Sequence, residues 1–279
     1  MNRSPSQPVV TLDARANPWW VDWGELWSYR DFFLFMVYKE IRVRYAQSAL
    51  GVGWAVVQPL ATMGVFTVVF GGLVGVQPDG DVHYAIFSLV ALVPWTYFSG
   101  ALNLGASSLV LNASIISKIY FPRVFLPLVA SAAQLVDLLI GFLLLVGMMV
   151  LYGVVPSVTI WMVPLLLILL VLTLAGAALW LSALAIQYRD VKYAAAFLIQ
   201  LWMYVSPVVY PTSSVPTAYQ PLYALNPLVG VIEGLRAALL GTRAMPWNLI
   251  LIGAGVAMLM AVSGFYYFRQ RERLFADVA

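Results

Sequence analysis

The sequence predicts an all-α integral membrane protein: six transmembrane helices, an N-terminal interfacial amphipathic helix, and a re-entrant broken-helix element between the fifth and sixth spans. Three observations carry this reading. First, 62% of the 279 residues are hydrophobic and 10% charged, with a mean hydropathy of +0.89. A soluble domain is nearer half apolar and a quarter charged, so the polar surface here is too small to cover a globule. Second, charges are separated by long gaps: 34 uncharged residues between Arg44 and Asp79, 36 between Asp81 and Lys118, and 51 from Leu138 to Tyr188. Third, the cations fall in alternate connecting segments, as they do in a multi-pass protein.

Residues 1–24 form a polar tail. Its first eighteen carry three prolines and no apolar stretch, so it is not a secretory signal. Residues 25–46 follow as an amphipathic helix. Tyr29, Phe32, Phe33, Met36, Val37 and Ile41 recur at helical spacing on one face, with Asp31, Lys39 and Arg42 on another. The apolar run is too short to span, and the cationic end suits anionic headgroups, which places it in the interface.

A spanning helix needs about 20 mainly apolar residues. The gaps supply Ala49 to Val76 as the first span, Tyr84 to Leu104 as the second and Val124 to Leu151 as the third. Tyr152-Gly153 and Pro156-Ser157 punctuate the longest gap, which leaves Ile160 to Ile186 as the fourth. The fifth starts near Tyr193, the sixth fits between Arg243 and Arg269, and the membrane body ends near residue 268 with 269–279 as a tail. With both termini on one side, 13 of 15 Lys and Arg residues share that side and only Arg236 and Arg243 lie opposite. That bias assigns both termini to the cytoplasm. It also accounts for the basic balance without nucleic acid.

Two connections are more than loops. Leu109 to Pro127 holds Asn112, Ser114, Ser117 and Lys118, too polar for hydrocarbon, and Pro122 stops any helix. Exposed Ile115, Ile116, Ile119 and Tyr120 there serve either a membrane-surface turn or a protein contact. From Pro207 to Pro227 there are five prolines within a 40-residue stretch, Tyr193 to Ile232, that has no charge. Broken backbone at membrane depth is tolerated only where protein or a water-filled cavity shelters it. Residues 207–241 are therefore expected to be a re-entrant outer element rather than a plain loop.

Several chemistries are excluded. There is no cysteine, and His83 is the one histidine, so thiol catalysis and Cys- or His-rich metal sites are absent from the sequence. None of the three lysines follows a glycine, which rules out a P-loop. Asp137 is the one acid inside a proposed span, read as polar glue beside Gln134 or as a transport residue. Glu233 and Arg236 read as an i,i+3 pair at the outer surface. The small residues Gly71 and Gly75, and Gly253, Ala257 and Ala261, permit close helix approach within or between chains. Phe, Trp and Tyr total 39 residues. Trp202, Tyr204, Tyr210, Tyr219 and Tyr223, with Trp54, Phe66 and Phe70, are candidates to line a pathway, because such rings stack on sugar faces while their polar edges reach hydroxyls. Membrane-interface belts and packing are the competing role.

The segments Tyr29 to Leu60, Ser117 to Pro127, Tyr188 to Tyr193 (YRDVKY), Ser206 to Pro211 (SPVVYP) and Tyr223 to Gly241 together resemble the membrane subunit of ATP-binding-cassette polysaccharide exporters. The resemblance implies two permease copies working with two separate ATPase subunits, which bind ATP and Mg, while this chain holds no cofactor. It implies a bacterial inner-membrane location and, as cargo, a lipid-linked O-antigen, capsular or teichoic-acid polymer. Asn112 to Tyr120 would be a coupling helix, with Ile115, Ile116, Lys118, Ile119 and Tyr120 against the ATPase. The first and fifth spans of two copies would line a channel, with Pro211 to Leu240 as its outer gate. Charge and position make Lys39, Arg42 and Arg44 candidates for the carrier's pyrophosphate, since guanidinium forks match phosphate oxygens. Export of a drug or lipid is the alternative. A membrane-embedded glycosyltransferase or acyltransferase, or a secondary carrier, is a further class that this sparse set of ionisable groups serves poorly.

Overall fold

The computed structural model describes residues 23–46, 50–188 and 190–272. The expected tail over 1–22, the end of the chain from 273, and Arg189 lie outside the described residues. Every regular element among the described residues is helical. In order they are α1 (Trp23–Ser28), α2 (Arg30–Tyr45), α3 (Trp54–Phe66), α4 (Tyr84–Leu111), α5 (Ala113–Ile116), α6 (Phe125–Leu151), α7 (Val163–Gln187), α8 (Val191–Tyr204), α9 (Gln220–Tyr223), α10 (Pro227–Leu240) and α11 (Trp247–Arg271).

Five stretches are long and apolar enough to cross a membrane: Gly51–Leu73, Tyr84–Leu111, Phe125–Leu151, Val158–Gln187 and Trp247–Arg271. The charge gaps place each within a few residues, except that α4 runs seven residues past its expected end at Leu104. The first span is not uniform. It opens with a tight 3-10 turn at Gly51–Gly53, continues as α3, and widens into a π-helix over Thr67–Leu73. The expected fifth span departs further from a simple helix. At 14 residues, α8 reaches about 21 Å, short of a hydrocarbon core of about 30 Å. The chain then turns through two short 3-10 elements into α9, and α9 meets α10 at 111°. This is the broken element that the proline density predicts.

The core is built on α4, which packs against α3, α6, α7, α8 and α10. In its most apolar stretch 83% of residues are buried, against 11% in the first span. Helices in lipid gain little from excluding water, so close backbone approach holds them together. The crossing of α7 and α11 shows the principle. A Cβ on Gly264 would sit 2.5 Å from the Gly176 carbonyl oxygen, and one on Gly176 would sit 2.6 Å from the Ala261 nitrogen. Gly253 lies in turn against Pro227 of α10. The small-residue stripe of α11 is therefore used inside the chain.

Two placements go beyond the sequence reading. The apolar face of α2 packs on protein. Met36 is buried, Phe32 packs on Phe121 and Phe33 on Phe125, with ring centroids 4.8 and 5.2 Å apart, so this face is covered by the start of α6 and the segment before it. The face turned outward carries Leu34, Phe35 and Tyr38, all exposed. The second is a correction and concerns α5, a single turn in which Ile116 is buried rather than exposed. It belongs to the same apolar cluster as Met36, Phe121 and Phe268.

Candidate functional site

A cleft of about 410 Å³ opens where α2, α3, α4 and α6 meet. Its charged members are Arg44 and Asp137. Arg44 Nη1 donates to Asp137 Oδ2 at 2.7 Å, and the Tyr45 hydroxyl donates to Oδ1. Both ion-pair partners keep some solvent contact, at 22% and 26% side-chain exposure. Asp137 thus ties the end of α2 to the third span, which is the glue role, but its partners are Arg44 and Tyr45 and not Gln134. The Tyr45 phenol is pushed up to about 12, first by burial and then by the adjacent Asp137 carboxylate, so it remains a proton donor.

The rest of the lining is neutral and mixes polar side chains with small or apolar ones such as Ala55, Pro59 and Gly141. α4 contributes Thr96, Ser99 and Asn103, α6 contributes Gln134, and α3 contributes Gln58 and the ring of Trp54. The α4 residues spend donors on their own helix: Thr96 to the Val93 carbonyl, Ser99 to that of Thr96, Asn103 to that of Ser99. Gln134 is only 8% exposed, yet its amide makes no hydrogen bond among the described residues. Arg44 Nη2 is also buried without a partner. Buried polar groups ordinarily find partners, so these face the cleft unspent. Sequence reasoning passed over Gln58, Thr96, Ser99 and Asn103. The signal was present: 96, 99 and 103, like 134, 137 and 141, recur at one-face helical spacing in otherwise apolar helices.

A second polar cluster sits near the opposite ends of α3 and α4. Glu233 and Arg236 of α10 pair at 2.8 Å with 0% and 2% side-chain exposure. The expected i,i+3 pair therefore exists, but it is buried and not at the surface. Arg243 reaches Glu233 at 3.1 Å and Asp79 at 3.4 Å, and Ser213 donates to Asp79 at 2.6 Å. Arg236 also donates to the Val208 and Tyr210 carbonyls, and its guanidinium lies 3.6 Å from the Phe87 ring centroid. Four charges of balanced sign thus join the loop before α4, the broken element, α10 and the loop before α11. Both cations that lie opposite the majority are consumed here.

Asn226 is the hinge of the broken element. Its Oδ1 caps α10 through the Leu228 N–H and accepts from Trp202 Nε1, while its Nδ2 donates to Ser206 Oγ at 2.9 Å. The Tyr223 hydroxyl donates to that of Tyr210, whose own proton goes to the Tyr204 carbonyl. Gly241 closes α10 at φ 65°, a left-handed conformation that suits glycine. Of the pathway candidates, Trp202, Tyr204, Tyr210 and Tyr223 come together at this hinge. Tyr204 and Tyr219 expose their rings. Phe66 and Phe70 pack edge-on at 5.4 Å against the core. Trp54 stands apart, exposed at the cleft. Lys39 and Arg42 are exposed on α2 with no ion-pair partner among the described residues, while Arg44 turns into the cleft. Beyond α5, Lys118, Ile119 and Tyr120 are exposed and Ile115 is half-buried. Tyr120 donates to Glu25 at 2.8 Å, joining this segment to α1. His83 caps α4 through Nδ1.

Known proteins place the chain. It is 28% identical over 250 residues to an O-antigen export system permease protein RfbA of Klebsiella pneumoniae, covering 89% of this chain and 95% of the relative. An RfbA of the same description from Myxococcus xanthus is 27% identical over 256 residues, covering 91% and 97%. The polysialic acid transport protein KpsM of Escherichia coli is 23% identical over 211 residues, covering 72% and 78%. The family model for ABC-2 type transporters matches residues 32–240, which takes in α2, the cleft and α10. With that match over well more than half its length, this multi-pass membrane protein belongs to the ABC-2 type transporter family.

Proposed function

We propose that this chain is the permease subunit of an ATP-driven exporter that carries a lipid-linked polysaccharide, O-antigen or a similar polymer, out of the cytoplasm across a bacterial inner membrane. The observation that carries the reading is the end-to-end match to O-antigen export permeases, covering about nine-tenths of both chains. With no P-loop in the sequence, ATP and Mg bind on a separate ATPase subunit. That partner docks on the side where both termini lie, against Lys118, Ile119 and Tyr120, with Ile115 and Ile116 bracing the turn from behind.

A second copy completes the pathway. The two least covered crossings, the first span and α8, leave Val65, Val68, Leu73, Phe197, Leu201 and Tyr204 exposed. Opposed pairs of these helices enclose a channel whose aromatic rings slide along sugar faces. Arg42 and Lys39, unpaired and exposed, meet the pyrophosphate of the carrier at its entrance, where Arg44 is less available because Asp137 already holds it. The broken element closes the far end.

Depletion in the native cell tests the reading. Lipid-linked polymer accumulates inside while surface polymer falls. Unchanged surface polymer would instead make the cargo a drug or lipid, and loss of polymer both inside and outside would make the chain a biosynthetic enzyme. The substitution Arg42→Glu lowers export with chain abundance unchanged, and normal export by that variant removes the phosphate contact.

A further inference from the structure

The cleft between α2, α3, α4 and α6 has more hydrogen-bonding capacity than the protein uses. We propose that it is a binding site for an uncharged sugar unit of the polymer, separate from the aromatic pathway. The proposal rests on the polysaccharide reading above and names where one ring is held.

Four observations support it. The cleft measures about 410 Å³, within the range of about 300–1,000 Å³ usual for small-molecule sites. Its two charges cancel at 2.7 Å, so a phosphate would meet Asp137 as well as Arg44. A neutral polyol meets no such opposition. The unspent groups are of both kinds: Gln134 and Gln58 each offer an amide donor pair and a carbonyl, and Arg44 Nη2 offers a buried N–H donor. Alternating donors and acceptors suit ring hydroxyls, which both give and accept. The exposed indole of Trp54 on the same wall supplies the apolar face on which a sugar ring stacks.

Gln134 decides between a site and an accident of packing. Gln134 is 8% exposed and its amide has no protein partner among the described residues, yet its polar atoms are not sealed from solvent, so what access they have is to the cleft. Gln134 touches Gly100, where a Cβ would come within 2.9 Å of its Nε2, so the glycine makes room for the amide. An unspent amide at a cleft wall, with space cleared for it, is placed for a ligand.

The test places a benzophenone amino acid at Gln58 or Asn103 in the cleft, at Tyr204 in the broken element, and at lipid-exposed Leu139 on α6. The full chain is irradiated in its native cell with its ATPase, and the cell's own polymer is detected by antiserum. The expected result is a high-mass ladder from Gln58 and Asn103 and none from Leu139. Adding Gln134→Leu deletes hydrogen bonds to the ring and cuts the Gln58 ladder roughly tenfold, with chain abundance unchanged and the Tyr204 ladder falling no further than export itself. A ladder from Tyr204 alone overturns the cleft site and leaves the export reading standing. Crosslinks from Gln58 and Asn103 only to lipid or to a second copy overturn it as well. If no position yields a ladder, the depletion experiment separates the failures: stranded polymer sinks the cleft alone, and unchanged surface polymer sinks both readings. An undiminished Gln58 ladder in the Gln134→Leu background also overturns the assignment.

Discussion

Towards each end of α4 an arginine is held by a carboxylate, and the two pairs are built on opposite terms. At the α10 end, Arg236 and Glu233 are sealed from solvent, and two backbone carbonyls, a phenyl face, Arg243 and Asp79 surround them. At the α2 end, Arg44 and Asp137 stay partly open, and Gln134 beside them has no partner. A buried network of paired charges fixes the segments that contribute to it, even though Arg236 Nε has no partner among the described residues. An open one keeps capacity for something else. The difference teaches that the α10 end is a structural joint for the broken element and the α2 end is a place for chemistry with a ligand.

Breaking the sealed pair gives the largest effect. Arg236→Leu leaves Glu233 buried with only the Thr212 N–H and the half-open Arg243 against it among the described residues, and costs about 3–5 kcal/mol, read as lost monodisperse protein in detergent and a lower melting temperature. Replacing Glu233 and Arg236 together with leucine recovers most of that loss, because neither charge is then stranded. A double variant as unstable as the single one would end the description of a closed joint. Asp137→Asn comes next. Its stability cost is on the order of 1 kcal/mol, since both partners keep solvent contact, while surface polymer per chain falls several-fold. Full export by that variant would reduce Asp137 to glue between α2 and α6.

Gln134→Leu sharpens the contrast from the other side. Thermal unfolding should show unchanged or higher stability, by up to about 1 kcal/mol, with export reduced. A marked fall in melting temperature would mean that the amide has a structural task. The smallest effect belongs to Tyr45→Phe. The phenol, raised from 10.0 to about 12, holds its proton more tightly folded than unfolded. Its contribution is whole below the unfolded value and is lost as pH rises through the folded one. The difference in melting temperature between wild type and Tyr45→Phe therefore stays constant between about pH 6 and 9. A difference that changes within that window would show that Tyr45 does not keep its proton beside Asp137.

Much of the fold was legible because it is written along the chain. Gaps between charges placed five long spans, and five prolines between Pro207 and Pro227 placed the break after α8. The 13-to-2 division of cations even isolated Arg236 and Arg243, the two that the sealed network consumes. What sequence could not supply was which face of each helix meets protein. The spacing of Tyr29, Phe32 and Phe33 marked α2 as amphipathic but not that this face packs on Phe121 and Phe125. Glu233 was read as a surface residue because nothing in its own helix marks its depth. In water, a buried face is apolar and an exposed one polar, so periodicity reveals orientation. Lipid tails are as apolar as leucine, and that signal vanishes inside a membrane. Hydropathy and charge by themselves determined that the chain crosses the membrane repeatedly and where it breaks. Helix rotation, settled only by close packing at contacts such as Gly141 of α6 against Val93 of α4, decided that Asp137 meets Arg44 and that Gln134 faces an open cleft.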